Sequence, residues 1–434
     1  MSYLQRLAQV FAREVGNELT GYTFVFPNRR AGLFFRRHLG QALSQPIFSP
    51  RVMTINECFA SLSDLRIADQ LTLLMRLYAQ YQQLRPEPET IEQFLHWGKM
   101  MLADFSEIDN HLVQDIEALY AAVKDLHDID DHFLTLSDTQ RNAIKKFWGD
   151  FYASSDKNSN KLHQQFIRTW ELLYPLYQRL RDNLLSDQLA YEGLLHRQVI
   201  EHWEQIPDNA FEQHYVFVGF NALTESERQL LIRLRDRGCA DFYFDYEDTY
   251  LSDPENRASL FREENLRTFP SHYEIPERTH AEHAKITLLS VDSTVGEARE
   301  VYHVLNELYP KDTPLTTDYT RTAVVLPDEQ LLIPLLDCFP EGVKKINVTM
   351  GYPLRASELY MPIAYPDKYF ASMPATGEQM IVALRQYIDT NRTPANSEAH
   401  YLLTKALDMV AGAIVQYPAV CISAEAVMQI MRML

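Results

Sequence analysis

The chain has 434 residues and a formal net charge of −18, from 59 acidic and 41 basic side chains. Its length suits about two to four domains, and its content of 46% hydrophobic and 23% charged residues is ordinary for a globular protein. These values exclude a largely disordered, collagen-like or coiled-coil protein. A protein of this charge does not coat duplex nucleic acid over its whole surface, so any nucleic-acid site must be a local basic patch.

The cysteines and the apolar stretches indicate a cytoplasmic protein. No two cysteines have the C-x-x-C spacing of zinc or iron–sulfur ligands, and their low number fits a reducing compartment. The N-terminal sequence MSYLQRLAQVFAREVG is typical of an amphipathic helix rather than a signal peptide. The apolar stretch 409–424 is too short and too interrupted, by Gln416 and Pro418, to span a membrane. The cysteines are Cys58, Cys239, Cys338 and Cys421.

Residues 1–60 differ from the rest of the chain in charge. They contain seven arginines, three glutamates and neither lysine nor aspartate, a balance of +4, so the remaining residues carry −22. Their pattern is helix, strand, helix, strand. The run 22–26 (YTFVF) has the continuous apolar character of a buried parallel strand, and 51–55 (RVMTI) is the second strand. The helix between them has Leu33, Phe34 and Leu39 on its apolar side.

A long helical segment separates this region from further strands. Residues 61 to about 208 are predicted to be almost wholly helical, with no convincing strand. Strand patterns return at 214–220 (HYVFVGF) and 239–246 (CADFYFDY). Between them, Thr224 and Glu227 have the T-x-x-E spacing of a capping box, which predicts a helix that begins there.

A second α/β block is predicted after residue 285. Beyond Pro353 the pattern is helical again, and the sequence stops in mid-helix with no cap, so we expect a piece of a longer protein. The strands of the second block are predicted at 285–291 (KITLLSV), 322–326 (TAVVL) and 346–350 (INVTM), and its helices at 296–308 and 329–339.

The sharpest candidate for a binding site is FVFPNRRAGLFFRRHL (24–39). Asn28 is an excellent N-cap, and the N-terminus of the helix after it attracts anions. Arg29 and Arg30 lie at that end, and Arg36 and Arg37 follow two turns later on nearly the same faces. A phosphate backbone along the helix would meet guanidinium groups at both places. The alternative is a surface helix whose arginines pair with nearby carboxylates.

Other kinds of site find less support. The cluster 127–132 (HDIDDH) has ligand types suited to a metal, but its contiguous residues are more typical of a solvated helix end. A phosphate-binding G-x-x-x-x-G-K-[ST] loop is absent, and Gly219 follows the 214–218 strand where a metal-binding aspartate would stand. No nucleophile or metalloprotease motif is present. We therefore expect no catalytic, metal-binding or nucleotide-binding residues in this chain.

Several motifs, taken together and in order, resemble AddB, the helicase-like nuclease subunit of bacterial recombination machines. The similarity is greatest to the Bacteroidetes-type members, which belong to the PD-(D/E)XK nuclease family, and it covers most of 20–360. The motifs are FVFPNRRAGLFFRRHL (24–39), FSPRVMTINECF (48–59), VFVGFNALTESERQLL (216–231), VDSTVGEAREVYHVLNEL (291–308), TAVVLPDEQLLIPLL (322–336) and INVTMGYPL (346–354).

The resemblance implies an α/β fold of the superfamily 1 helicase type, with two RecA-like parallel-sheet domains and large all-helical insertions. In this family the nuclease domain, with its magnesium-binding carboxylates and iron–sulfur cysteines, lies near the C-terminus, so neither cofactor is expected in this segment. The implied domains are 1–60 with 210–280 (first RecA-like domain), 61–209 (helical insertion), 281–360 (second RecA-like domain) and 361–434 (start of a second insertion).

The same resemblance assigns roles to individual residues. Asn28, Arg29, Arg30 and Thr54 match the positions where helicase motifs touch single-stranded DNA. Pro327 stands where active relatives have an arginine. The phosphate-binding loop and the metal-binding aspartate, in whose place Gly219 stands, are also missing. The resemblance therefore implies a motor that no longer hydrolyses ATP.

Three hypotheses follow. The first is an inactivated, DNA-guiding segment of a helicase–nuclease that acts in double-strand-break repair and recombination, with single-stranded or unwinding DNA and an AddA-like subunit as partners. The second is a protein–protein scaffold that docks an active helicase–nuclease partner without contacting DNA. The third, much weaker, is a nucleotide or metal hydrolase that uses the cluster at 127–132.

Overall fold

The computed structural model divides into two compact units. The first comprises Met1–Glu277 and Pro362–Leu434, and the second Arg278–Met361. The residues that the structure describes are 2–85, 88–117, 159–246, 260–276, 285–349 and 354–434.

The secondary structure is mixed α/β. The strands of the described residues are β1 (Tyr22–Phe26), β2 (Arg51–Thr54), β3 (Arg66–Ile67), β4 (Leu189–Ala190), β5 (His214–Val218) and β6 (Ala240–Tyr243). The helices of the first unit up to residue 276 are α1 (Tyr3–Glu14), α2 (Arg29–Ala42), α3 (Ile55–Ser61), α4 (Gln70–Leu84), α5 (Ile91–Asn110), α6 (Ser159–Ser186), α7 (Glu192–Glu201), α8 (Glu225–Asp236) and α9 (Arg262–Thr268). Those that follow are α10 (Thr294–Leu308), α11 (Leu332–Leu336), α12 (Met361–Ala364), α13 (Pro366–Tyr369), α14 (Gly377–Thr390), α15 (Ser397–Gln416) and α16 (Ala424–Met433).

A four-stranded parallel sheet in the order β2-β1-β5-β6 forms the centre of the first unit. Phe24 of β1 is in register with Val52 of β2 on one side and with Val216 of β5 on the other. Strands from residues 22–54 and 214–243 thus form one sheet, although the helical segment lies between them in sequence. The predictions of buried strands at 22–26 and near 214–220 are confirmed.

The sheet is buried on both faces, which explains the continuous apolar runs of its central strands. Phe24 and Val216 point to one face, where they pack with Phe11 of α1 and Phe35 of α2. Because side chains alternate along a strand, Val25 points to the opposite face from Phe24. That face is also buried.

Strands β3 and β4 join the beginning and the end of the helical segment that lies between β2 and β5 in sequence. Arg66 N donates to Gln188 O at 2.9 Å, and Ala68 N donates to Ala190 O at 3.0 Å, so β3 and β4 pair in parallel. The expectation that this segment contains no strand is wrong at this place. Two-residue strands are too short to produce a hydrophobic periodicity, and their position is fixed by the pairing itself.

A buried polar cluster joins three helices of this segment. Asp109 at the end of α5 is fully buried. It accepts hydrogen bonds from the hydroxyl groups of Tyr177 on α6, at 2.6 Å, and Tyr191, at 2.5 Å, and Arg197 Nε on α7 lies 2.7 Å from its carboxylate. Removing one partner of such a buried pair usually costs about 3–5 kcal/mol, so the cluster holds α5, α6 and α7 in one arrangement.

The C-terminal helices belong to the first unit. Helices α15 and α16 pack against α4 and α5, and Ser423 at the N-cap of α16 hydrogen-bonds to the Glu92 carboxylate on α5. The helical character expected for 361–434 is therefore present, and these helices extend the helical layer that begins with α4.

The second unit differs from the sequence prediction. None of the three segments 285–291, 322–326 and 346–349 is a strand, although helices form at α10 and α11 near the predicted places. Leu288 is 91% exposed and Val325 is 81% exposed. An isolated extended segment gains neither ladder hydrogen bonds nor a buried face, so β-type composition alone does not make a strand. A second parallel sheet is therefore absent from the described residues.

Substitution of glycine by alanine tests how closely α7 packs on α5. A Cβ on Gly193 would collide with the backbone of Ser106, so we expect Gly193→Ala to lower the free energy of unfolding by about 1–3 kcal/mol. A Cβ on Gly40, in the exposed part of α2, would meet no atom within 4 Å. Gly40→Ala should therefore stabilise, by up to about 1 kcal/mol. Urea denaturation followed by circular dichroism measures both changes, and equal effects would contradict this packing.

Candidate nucleic-acid interface

Three helices begin at the carboxyl edge of the central sheet. Helices α2, α3 and α8 follow β1, β2 and β5 respectively. The chain moves from β1 to β2 in one direction and from β5 to β6 in the other, so the strand order reverses between β1 and β5. Ligands of open α/β sheets usually bind at such a reversal, outside the carboxyl ends of the strands.

The N-terminus of α2 carries a concentration of positive charge. Asn28 is its N-cap, as predicted, and its side-chain oxygen accepts a hydrogen bond from Ala31 N at 2.9 Å. The first turn contains Arg29 and Arg30 and no acidic residue. By contrast, the first turns of α3 and α8 contain acidic side chains. Since a helix N-terminus bears a partial positive charge, Arg29 and Arg30 are in an unfavourable place unless a carboxylate or another anion lies beside them.

Arg29 is held by a carboxylate of the neighbouring helix. Its Nη2 lies 2.8 Å from Glu57 Oε1. The other oxygen of Glu57 accepts a hydrogen bond from Thr54 N at 2.8 Å, and Thr54 Oγ1 in turn accepts one from Glu57 N at 3.3 Å. Thr54, a predicted DNA contact, is thus the N-cap of α3. The hydrogen bond from the Thr54 backbone, together with Arg29, holds the pKa of Glu57 below its ordinary value.

The other arginines extend the positive charge along α2. Arg36 Nη2 donates to Val52 O at 3.2 Å, on the β2 side of the helix. Arg30 and Arg37 are exposed and make no hydrogen bond or ion pair with the residues that the structure describes. The four arginines therefore lie on one exposed surface, and two of their guanidinium groups remain available.

The apolar side of α2 differs from the prediction. Leu39 is buried, as expected, but Leu33 is 66% exposed and Phe34 is 38% exposed, whereas Phe35 is fully buried. The cause is Gly32, since a Cβ at this position would lie only 2.7 Å from Val52 Cγ1. The helix thus places its glycine against the sheet, and this rotation turns Leu33 and Phe34 outward.

Sequence reasoning missed two contributors to this surface. Glu57 could have been found, because Thr54 and Glu57 have the same T-x-x-E spacing that predicted the capping box at 224–227. The exposure of Phe34 carries no local signal, since it depends on how closely Gly32 approaches β2.

Two cavities lie at the far end of α2 from Asn28. One, of about 590 Å³, is lined by residues that include Arg13 of α1 and Gln41. The other, of about 440 Å³, lies beside Arg36 and Gly40. Neither cavity reaches the first turn of α2, so the arginines there face open solvent rather than an enclosed pocket.

Metal ligands do not come together in the described ranges. No group of three or more His, Cys, Asp or Glu side chains in these ranges is arranged to hold a metal ion, and the cluster at 127–132 lies outside them. His196 on α7 is buried, and its ring stacks on that of Phe59 with the ring centroids 3.8 Å apart. Burial lowers its pKa to about 4. No helix in the described part of the chain is long and apolar enough to cross a membrane.

No protein-family model and no curated protein matches this chain. The function must therefore be inferred from the geometry of α2 and from the sequence motifs.

The capping boxes of α3 and α8 predict opposite changes in stability when the charge of their glutamate is removed. Glu227 makes the same two hydrogen bonds with Thr224, at 2.8 and 3.3 Å, but burial raises its pKa. We expect Glu57→Gln, which keeps the capping box and loses the ion pair, to lower the free energy of unfolding at pH 7 by up to about 1 kcal/mol. Glu227→Gln should be neutral or stabilising.

The pH dependence has a defined sign. Because the pKa of Glu57 is lowered by folding, its contribution is present above the ordinary carboxyl pKa and is lost as the pH falls through the lowered value. Urea denaturation between neutral and acidic pH should therefore show the difference between Glu57→Gln and the wild type shrinking. A difference that grows on acidification would show that Arg29 does not stabilise the ionised carboxylate.

Proposed function

We propose that this chain is an inactivated helicase-like segment of an AddB-like helicase–nuclease subunit that guides DNA during double-strand-break repair and recombination. The partners in this proposal are single-stranded or unwinding DNA and an AddA-like subunit in the cytoplasm. Support comes from the ordered sequence motifs, from the parallel sheet with its helical insertion, and above all from the first turn of α2.

The first turn of α2 carries the proposal, because Arg30 has no carboxylate partner among the described residues, whereas Arg29 pairs with Glu57. Both arginines lie where the backbone N–H groups and the helix dipole already favour an anion, at the carboxyl edge of the sheet. A phosphate group bound there would interact with Arg30, with the N–H groups and with the helix dipole. Because the whole chain has a charge of −18, a polyanion would be drawn to a local basic surface such as this one.

The end of β5 supports a guide rather than a motor. Gly219 follows the strand with a φ of +76°, a left-handed conformation that a side chain with a Cβ adopts only at a cost. An aspartate that binds magnesium would therefore be strained at this position. Together with the missing phosphate loop, Gly219 argues for a chain that does not hydrolyse ATP.

A scaffold that binds a partner protein is the second candidate. The observation in its favour is the exposure of apolar side chains in the second unit, among them Leu288 and Val325. Contiguous exposed apolar surface marks protein interaction sites. This candidate requires no contact between DNA and α2.

Fluorescence anisotropy with labelled single-stranded DNA tests the first candidate directly. Binding through phosphate contacts should weaken as the salt concentration rises from about 50 to 200 mM, with a log–log slope of roughly −0.7 per contact. Arg29→Glu/Arg30→Glu should abolish this salt-dependent binding. The wild-type slope should correspond to at least two such contacts.

A charge-matched control separates a local site from general electrostatics. Arg13→Glu/Arg179→Glu changes the net charge by the same amount at two exposed positions away from the first turn of α2, and it should leave most of the binding intact. Equal losses in the two double variants would contradict a site on α2. No binding by the folded wild type at low salt would overturn the DNA proposal and favour the scaffold.

A further inference from the structure

We propose that Phe34, with His38 beside it, forms a platform on which a base of a single-stranded nucleic acid stacks, between phosphate contacts to Arg30 and Arg37. The platform rests on the proposed function and makes its ligand more specific. Single strands bind there, and duplexes, whose bases are already stacked, do not use it.

The exposure of Phe34 is the first observation. The inward side of α2 is complete without it, since Phe35 and Leu39 fill the core next to Phe24. Phe34 is nevertheless 38% exposed, and Leu33 beside it is 66% exposed. Parts of two adjacent large apolar side chains are therefore open to solvent on the outer surface of the helix.

The placement of Phe34 among cations is the second observation. Arg30 precedes it by four residues and Arg37 follows it by three, so all three lie on one side of the helix. At 1.5 Å per residue the two arginines are separated by about 10.5 Å along the helix axis, with the ring between them. Grooves that bind single strands combine cations for the backbone with aromatic rings for the bases in this way.

The ring of His38 lies beside that of Phe34. The ring centroids are 6.5 Å apart and the planes are inclined by 34°, and His38 Nδ1 lies 3.4 Å from Gln41 Oε1 on the next turn. The outer surface of α2 thus presents neighbouring rings rather than a single isolated one.

Charge complementarity selects the occupant. Residues 29–42 contain four arginines and no acidic side chain, in a chain with 59 acidic residues. An apolar protein surface would not need this excess of cations, whereas a strand of phosphates and bases matches both the arginines and the rings.

The experiment compares three labelled ligands with equal numbers of phosphates per strand: a deoxythymidine oligomer, an abasic oligomer and a duplex. We expect Phe34→Ala to weaken binding of the deoxythymidine oligomer by about 5- to 100-fold. Binding of the abasic oligomer and the duplex should stay the same, and so should the salt slope. Phe34→Tyr should bind the deoxythymidine oligomer as well as the wild type does, because it keeps the aromatic ring.

Phe48→Ala serves as the control, since Phe48 is also strongly exposed but lies in the loop before β2; it should have little effect. If the deoxythymidine and abasic oligomers bind equally well, and Arg29→Glu/Arg30→Glu abolishes both, the platform is wrong and the DNA-guiding function stands. If Phe34→Ala weakens all three ligands alike, stacking is likewise excluded. If the wild type binds none of them at low salt, both proposals are overturned.

Discussion

The pairing of β1 with β5 is the contact on which the first unit depends. It joins strands on either side of the long helical segment, and it creates the reversal of strand order at the carboxyl edge. The segment must therefore leave the sheet at the carboxyl end of β2 and return at the amino end of β5, with β1 between the two strands. The β3–β4 pairing and the buried cluster around Asp109 meet this requirement, because they tie its beginning to its end.

Much of the central sheet could be predicted from the sequence, and the second unit could not. The runs 22–26 and 214–218 are mostly apolar, as strands covered on both faces must be, and they pair with each other. The run 285–291 has a similar composition but forms no strand and is exposed. Composition reports what a segment could pair with, whereas the presence of a neighbouring strand is a property of the whole fold.

The candidate interface shows the same division on a smaller scale. The Asn28 cap and the spacing of the arginines are local, so the sequence predicted them correctly. The outward position of Phe34 follows from the close approach of Gly32 to Val52, which is a tertiary contact. The ion pair between Arg29 and Glu57 also joins separate elements. The N-cap and the charge pattern of the interface can thus be predicted from the local sequence. The direction in which the side chains of α2 point depends on tertiary packing, which the local sequence does not reveal.

The exposed extended segments of the second unit have a consequence for the behaviour of the protein in solution. Segments such as 285–291 and 322–326 combine apolar and β-branched residues with backbone groups that make no strand pairing. Unpaired β-prone backbone is a template for addition of strands from other molecules. We therefore expect strand addition from other molecules to occur at these segments rather than at the paired strands of the first unit.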